Sequence, residues 1–172
     1  ASGSGAPRVG RYRWLICAIL FFATTVNYID RNVLSFTMLD DHFRCMIAGV
    51  PDGTVLSAEQ TALFKERMGY VDAAFKFAYA VGFVIAGWMI DKLGTRRGFS
   101  ISITVWSIAG ILHGFVNSVL GMSGARFLLG LGEAGNFPAS IKSVAEWFPR
   151  KERSFATGLF NAGANVGIIL TA

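Results

Sequence analysis

Charge is scarce in this sequence. Asp, Glu, Lys and Arg make up 16% of its 172 residues, whereas an ordinary soluble domain carries about 25%. Hydrophobic residues take up 53%, which excludes a typical water-soluble globular domain. Cysteine is scarcer: Cys17 and Cys45 are the only two. One falls in an apolar segment and the other in a polar connection, too far apart for a disulfide, so a stapled secreted scaffold is excluded as well. Nothing in the chain supplies a nucleophile, a metal-ligand set or a cofactor motif. A membrane-embedded enzyme using Glu133 and Asp30 as acid and base therefore lacks support, and neither metal nor cofactor is expected.

Long apolar runs are what the chain does have. Five segments, 14–39, 70–90, 99–116, 120–148 and 154–172, approach or exceed the length of about 20 residues that crosses a bilayer. The fold class is all-α, a polytopic membrane helix bundle. The net charge of +5 is distributed unevenly. Arg8, Arg11 and Arg13 precede the first segment, Lys92, Arg96 and Arg97 lie between the second and third, and Arg150, Lys151 and Arg153 between the fourth and fifth. The alternate connections are different: "NSVLGMSG" is uncharged, and 40–69 is richer in acids. Basic connections mark the cytoplasmic side, so the N-terminus is expected inside, and the basicity is a topology signal rather than a nucleic-acid patch.

Residues 1–13 read as a flexible cytoplasmic leader. The apolar run behind it is too long for a signal peptide and ends without a cleavage site. The outer loop 40–69 holds a turn at "PDGT" and a capping pattern, Ser57 with Gln60, that predicts a short surface helix leading into the second segment. The last segment runs to Ala172 without a closing loop, which reads as part of a longer protein.

Glycine is abundant, 20 in all, and "GANVG" (163–167) is a GxxxG pattern of the kind that lets membrane helices approach closely. Gly132, Gly135 and Pro138 predict a pliable, kinked fourth helix, because a proline inside a helix frees carbonyls.

The charges inside apolar runs are the most informative feature. "NYIDRN" (27–32) places Asp30 and Arg31 in the first segment, Asp30 roughly 24 Å along it at helical rise. Arg126 and Glu133, seven apart, share one helix face. Arg31 and Arg126 come out at similar depth, so two arginines and two carboxylates can line one cavity. The bland alternative is a pair of structural ion pairs, Asp30 with Arg126 or Arg31 with Glu133. Intramembrane ionisable residues usually mark a substrate or proton path, and this set suits an anion accompanied by protons. Burial favours a neutral carboxyl and a nearby guanidinium an ionised one, so a substrate that claims the arginine lets the acid take a proton.

Other polar residues are weaker candidates. Tyr79 either packs or presents its hydroxyl to substrate. Lys76 and Asp72 read as a surface pair, and His113 as structural. Asn161 and Asn165 bond either neighbouring helices or substrate.

The stretch "GWMIDKLGTRRG" (87–98) forms a tight turn, with Gly94 at the reversal, Asp91 before it and Arg96 and Arg97 after it. It resembles the signature loop of the major facilitator superfamily, and "RFLLGLGEAG" (126–135) resembles that superfamily's fourth-helix motif. Together, "NYIDRN", "DKLGTRR", "GEAGNFPAS" and "AEWFPRKERSFATGLFNAGANVG" resemble its anion:cation symporters, which include hexuronate and galactonate transporters. The resemblance runs from the first helix to the end of the chain, apart from the outer loop.

That resemblance implies a proton-coupled symporter of a sugar acid or other organic anion, working by alternating access in the inner (plasma) membrane. It implies about five helices of an N-terminal half, the C-terminal half of the transporter completing the site. Arg31 and Arg126 are then expected to bind substrate with Tyr79, Asn27 and Asn161. Asp30 and Glu133 carry protons, and Gly87, Asp91, Gly94, Arg96 and Arg97 form the inner gate. A sodium-coupled or exchanging carrier is the nearest alternative, and a half-length interaction protein the alternative of another class.

Overall fold

A computed structural model of the chain describes residues 10–171. Most of the expected leader, residues 1–9, lies outside the described residues. Those described form seven helices and no strand: α1 (Tyr12–Thr37), α2 (Asp41–Ala48), α3 (Ala58–Leu93), α4 (Thr95–His113), α5 (Val119–Glu133), α6 (Asn136–Trp147) and α7 (Arg153–Leu170). By length and apolarity alone, α1 and α3 can cross a membrane. The helices α4 and α7, 19 and 18 residues long, are diluted by Arg96 and Arg97 in one and by Asn161 and Asn165 in the other. The fourth apolar segment is divided between α5 and α6.

That division has a local cause. Helix α5 stops at Glu133, a turn occupies Ala134 and Gly135, and α6 starts at Asn136. Pro138 has no N–H to give the carbonyl four residues earlier, at Ala134, and its ring crowds that carbonyl. The proline thus sits in the first turn of a new helix, where its missing donor costs nothing. A broken helix replaces the kinked one that the sequence predicts.

The outer loop also differs from expectation. Ser57 and Gln60 form the capping box, but the helix they start runs without interruption for 36 residues to Leu93, passing straight through Gly69. A further helix, α2, precedes it. The Asp40 carboxylate accepts from the Phe43 amide at its start, and Gly49 (φ 77°) closes it in the left-handed conformation. Arg67 on α3 donates to the Ile47 carbonyl at 2.7 Å, which satisfies one of the carbonyls left open at the end of α2. Phe43 and Ile47 of α2 are buried with Phe64, Met68 and Val71 of α3.

The described residues divide into two compact units. One comprises residues 30–139, with α2 to α5 and the ends of α1 and α6 that reach into it. Here α5 packs along both α3 and α4. The contact is close because α5 has no side chain where it crosses them. A Cβ at Gly130 would stand 2.5 Å from the Phe75 carbonyl oxygen of α3, and one at Gly132 would stand 2.5 Å from the Trp106 nitrogen of α4. Gly94 alone joins α3 to α4, at φ 84° and ψ 157°, a conformation open essentially only to glycine.

The other unit comprises residues 10–29 and 140–171. The GxxxG glycines of α7 lie against α1. A Cβ at Gly163 would fall 2.5 Å from the Phe21 carbonyl oxygen, and one at Gly167 would fall 2.6 Å from that of Thr25. At the end of this unit Trp14 packs edge-on against Phe148 and Phe155, and Arg13 pairs with Glu152 at 3.0 Å. Arg153 donates to the carbonyls of Phe148 and Ala145, so this basic residue also caps a helix end. Cys17 and Cys45 are both free and buried.

Candidate functional site

Unit 30–139 gathers four of the intramembrane charges. Arg126 and Glu133 project from the buried face of α5; Arg126 is 4% exposed and Glu133 0%. Asp30 and Arg31 come from the second half of α1. The Arg31 Nε donates to Glu133 Oε2 at 2.7 Å. Glu133 Oε1 is buried without a hydrogen-bond partner. Asp30 is held differently, its Oδ2 accepting from the Trp106 indole N–H at 2.7 Å. Of the two structural pairings the sequence allows, the structure contains Arg31 with Glu133.

Two aromatic rings on α3 organise the arginines. The Arg31 guanidinium carbon lies 4.6 Å from the Tyr79 ring centre and 5.6 Å from that of Phe75. The Arg126 carbon lies 6.0 Å from the same Phe75 ring. One phenyl ring thus contacts both guanidinium groups and supplies each with the attraction of an aromatic face. Tyr79 thus packs its ring against a charged side chain.

Arg126 is the singular residue of the cluster. Its Nε is buried with no hydrogen-bond partner, and among the described residues no carboxylate stands within ion-pair distance of it. A buried charge without a partner is costly. Arg126 faces a cavity of about 380 Å³ that is also lined by Asp30, His113, Asn117, Leu34 and Met122. The volume fits a small organic molecule, for which pockets run from about 300 Å³ upward.

The remaining sequence candidates fall elsewhere. Asn27 and Asn161 belong to the other unit; Asn27 is 2% exposed and its amide nitrogen has no partner. Asp91 is exposed near the end of α3, and Arg96 and Arg97 are exposed in the first turn of α4. Gly87 has open space around it. Lys76 and Asp72 pair at 2.6 Å on the surface. Two functional neighbours went unread in the sequence, Trp106 and Phe75. A tryptophan midway along an apolar helix does carry a signal, because its buried N–H needs an acceptor.

The described residues thus form an all-helical bundle that buries a carboxylate–guanidinium pair and a second guanidinium with no ion-pair partner. The chain belongs to the Major Facilitator Superfamily, whose profile matches residues 20–172. Among curated proteins it is 36% identical over 164 residues to the "Probable galactarate/D-glucarate transporter" of Escherichia coli (strain K12), covering 92% of this chain and 33% of that protein. It is 31% identical over 163 residues to the D-galactonate transporter of Escherichia coli O6:H1, covering 95% and 34%. It is 31% identical over 158 residues to the hexuronate transporter of Escherichia coli (strain K12), covering 92% and 33%. The chain spans about a third of the length of these relatives. All three are named as transporters.

Proposed function

We propose that the native protein is a secondary transporter of the inner (plasma) membrane, with its N-terminus in the cytoplasm, that carries a sugar acid or related organic anion together with protons by alternating access. The observation that carries this reading is Arg126, a buried guanidinium without an anionic partner at the wall of a cavity. An incoming carboxylate supplies that partner, and a guanidinium can hold it through two parallel hydrogen bonds. The names of the relatives, galactarate/D-glucarate, D-galactonate and hexuronate transporters, agree on a polyhydroxylated acid.

Proton coupling follows from the second arginine. Arg31 is held by Glu133, so a substrate carboxylate that engages Arg31 competes with that acid. Protonation of Glu133 removes its charge and releases Arg31, while a neutral carboxyl tolerates the dry interior better than a carboxylate. Substrate and proton therefore favour each other's binding. Asp30 is a second acid of the cluster, and it lines the cavity that Arg126 faces. Tyr79 adds a polar contact to the substrate, and the C-terminal half of a full-length transporter supplies the facing wall. Asp91, Arg96 and Arg97, around the Gly94 turn, serve the inner gate.

The test is uptake into proteoliposomes containing the full-length protein. Labelled galactarate, D-glucarate, D-galactonate, galacturonate and glucuronate are offered with and without an inward proton gradient. Accumulation of at least one of them that requires the gradient supports the proposal. Accumulation driven by sodium instead would replace the coupling ion, and transport of none would end the reading.

A further inference from the structure

We propose that His113 is a specificity-determining residue that reads a hydroxyl group of the substrate. The inference rests on the reading of the Arg126 cavity as an anion site. His113 is the last residue of α4, and its Nδ1 lies 2.7 Å from the carbonyl oxygen of Ala109, one turn earlier. A carbonyl can only accept, so Nδ1 must carry the proton. In the neutral ring this fixes the tautomer and leaves Nε2 as an acceptor. That atom is buried and has no partner, and the residue lines the same cavity as Arg126 and Asp30.

The three groups divide the recognition chemistry among them. Arg126 offers donors and a positive charge, which suit a carboxylate. The Asp30 carboxylate is an acceptor already engaged by Trp106 through one oxygen. His113 Nε2 is an uncharged acceptor, and its natural complement is a hydroxyl. A ligand with a carboxylate at one point and a hydroxyl a few bonds away satisfies both orphaned nitrogens, Arg126 Nε and His113 Nε2. A plain aliphatic acid satisfies only the first and leaves the imidazole nitrogen buried and unmet, which penalises it. The cavity thus selects hydroxylated acids over their deoxy counterparts.

The experiment measures binding of D-galactonate and of each monodeoxy galactonate to the full-length protein in detergent. Three forms are compared: wild type, His113→Asn and His113→Gln. Asn can keep the bond to Ala109 but has no group at the Nε2 position, whereas the Gln amide oxygen can reach it. Wild type should prefer D-galactonate over at least one deoxy analogue by about three- to tenfold, the range expected of one hydrogen bond. His113→Asn should lose that preference while still binding the carboxylate, and His113→Gln should keep part of it.

A measurement without any variant runs in parallel. In ¹⁵N-histidine-labelled wild type, the non-protonated Nε2 signal of His113 should move upfield when D-galactonate is added. An unchanged preference in His113→Asn, or a signal indifferent to D-galactonate that binds, overturns the inference. Should His113→Asn fail to fold, the nitrogen signal alone decides. Arg126→Lys separates the two levels. Binding that depends on Arg126 but not on His113 overturns only the hydroxyl contact, whereas absent or Arg126-independent binding overturns the anion site itself.

Discussion

Arg31 and Glu133, 102 residues apart in the chain, are joined by a 2.7 Å hydrogen bond in which the carboxylate is fully buried and the arginine is about a quarter exposed. The asymmetry sets what each substitution does. Removing Arg31 strands a buried carboxylate, and breaking a buried pair costs about 3–5 kcal/mol. Partial exposure of Arg31 places the expected loss for Arg31→Gln near the lower end of that range. Adding Glu133→Gln to it should restore much of the stability, because the stranded charge is gone. Thermal unfolding in detergent reads this directly. If the double variant melts no higher than Arg31→Gln, the pair is not what compensates Glu133.

The α1–α7 contact makes a packing prediction. Gly163 faces the Phe21 carbonyl so closely that any side chain must displace the helix, while Gly158, on the same helix, has open space around it. Gly163→Val should destabilise by about 1–3 kcal/mol, the usual cost of overpacking. Gly158→Ala should be neutral or slightly favourable. Equal melting temperatures for the two variants would mean that α7 does not approach α1 through its glycines.

These two cases show which features a sequence exposes. The charges of "NYIDRN" and of α5 stand out because apolar surroundings make them expensive, and helical spacing puts Arg126 and Glu133 on one face without further information. The capping box at Ser57 and the Gly94 reversal are local chemistry, readable within four residues. Helix α2 was equally local, with Asp40 before it and Gly49 after it, but its eight residues, "DHFRCMIA", are too few to show a long apolar period. The choice among pairings was not local. Whether Asp30 meets Arg126 or Arg31 meets Glu133 depends on how α1 approaches α5, and Trp106 takes Asp30 only because Gly132 lets α4 lie close. The break between α5 and α6 was half legible: Pro138 announced a disturbance, but whether the axis bends or stops was decided by packing.

Asp91 tests the gating role. It is exposed near the end of α3, where a carboxylate meets the negative end of the helix dipole and needs a compensating partner. Asp91→Asn in the full-length protein should slow uptake severely while changing substrate affinity little, because the residue is remote in sequence from the Arg126 cluster and on the loop side of α3. Cysteines placed on the cytoplasmic side of the cavity should react faster with impermeant thiol reagents. Labelling at the wild-type rate would remove Asp91 from the gate.

Arg126 tests the anion contact. A lysine in its place would keep the positive charge and lose the planar fork, so Arg126→Lys separates charge from geometry. One charge-assisted hydrogen bond is worth about 1.5–3 kcal/mol, and sugar-acid binding should weaken about ten- to a hundredfold. Stability should change little, since the Arg126 Nε has no protein partner to lose. A variant that binds as tightly as wild type but unfolds more readily would show that the guanidinium serves the fold instead.

Glu133 carries the coupling claim. Its Oε2 is bound by Arg31 and its Oε1 has no partner, so a proton on Oε1 would neutralise the acid without breaking an existing contact to that atom. Gln mimics the protonated acid and cannot release a proton. Glu133→Gln in the full-length protein should therefore abolish accumulation driven by a pH gradient. Exchange of labelled for unlabelled substrate needs no net proton movement and should survive in part, with Arg31 now free to meet the substrate carboxylate. Substrate affinity should accordingly lose its dependence on pH, staying near the value wild type shows on the acidic side. Accumulation that still follows the pH gradient would shift the proton-carrying role to Asp30, the acid that lines the cavity with Arg126. Loss of exchange together with accumulation would assign Glu133 to substrate binding or to the fold, and Arg31→Gln/Glu133→Gln would then distinguish the two by whether stability recovers without transport.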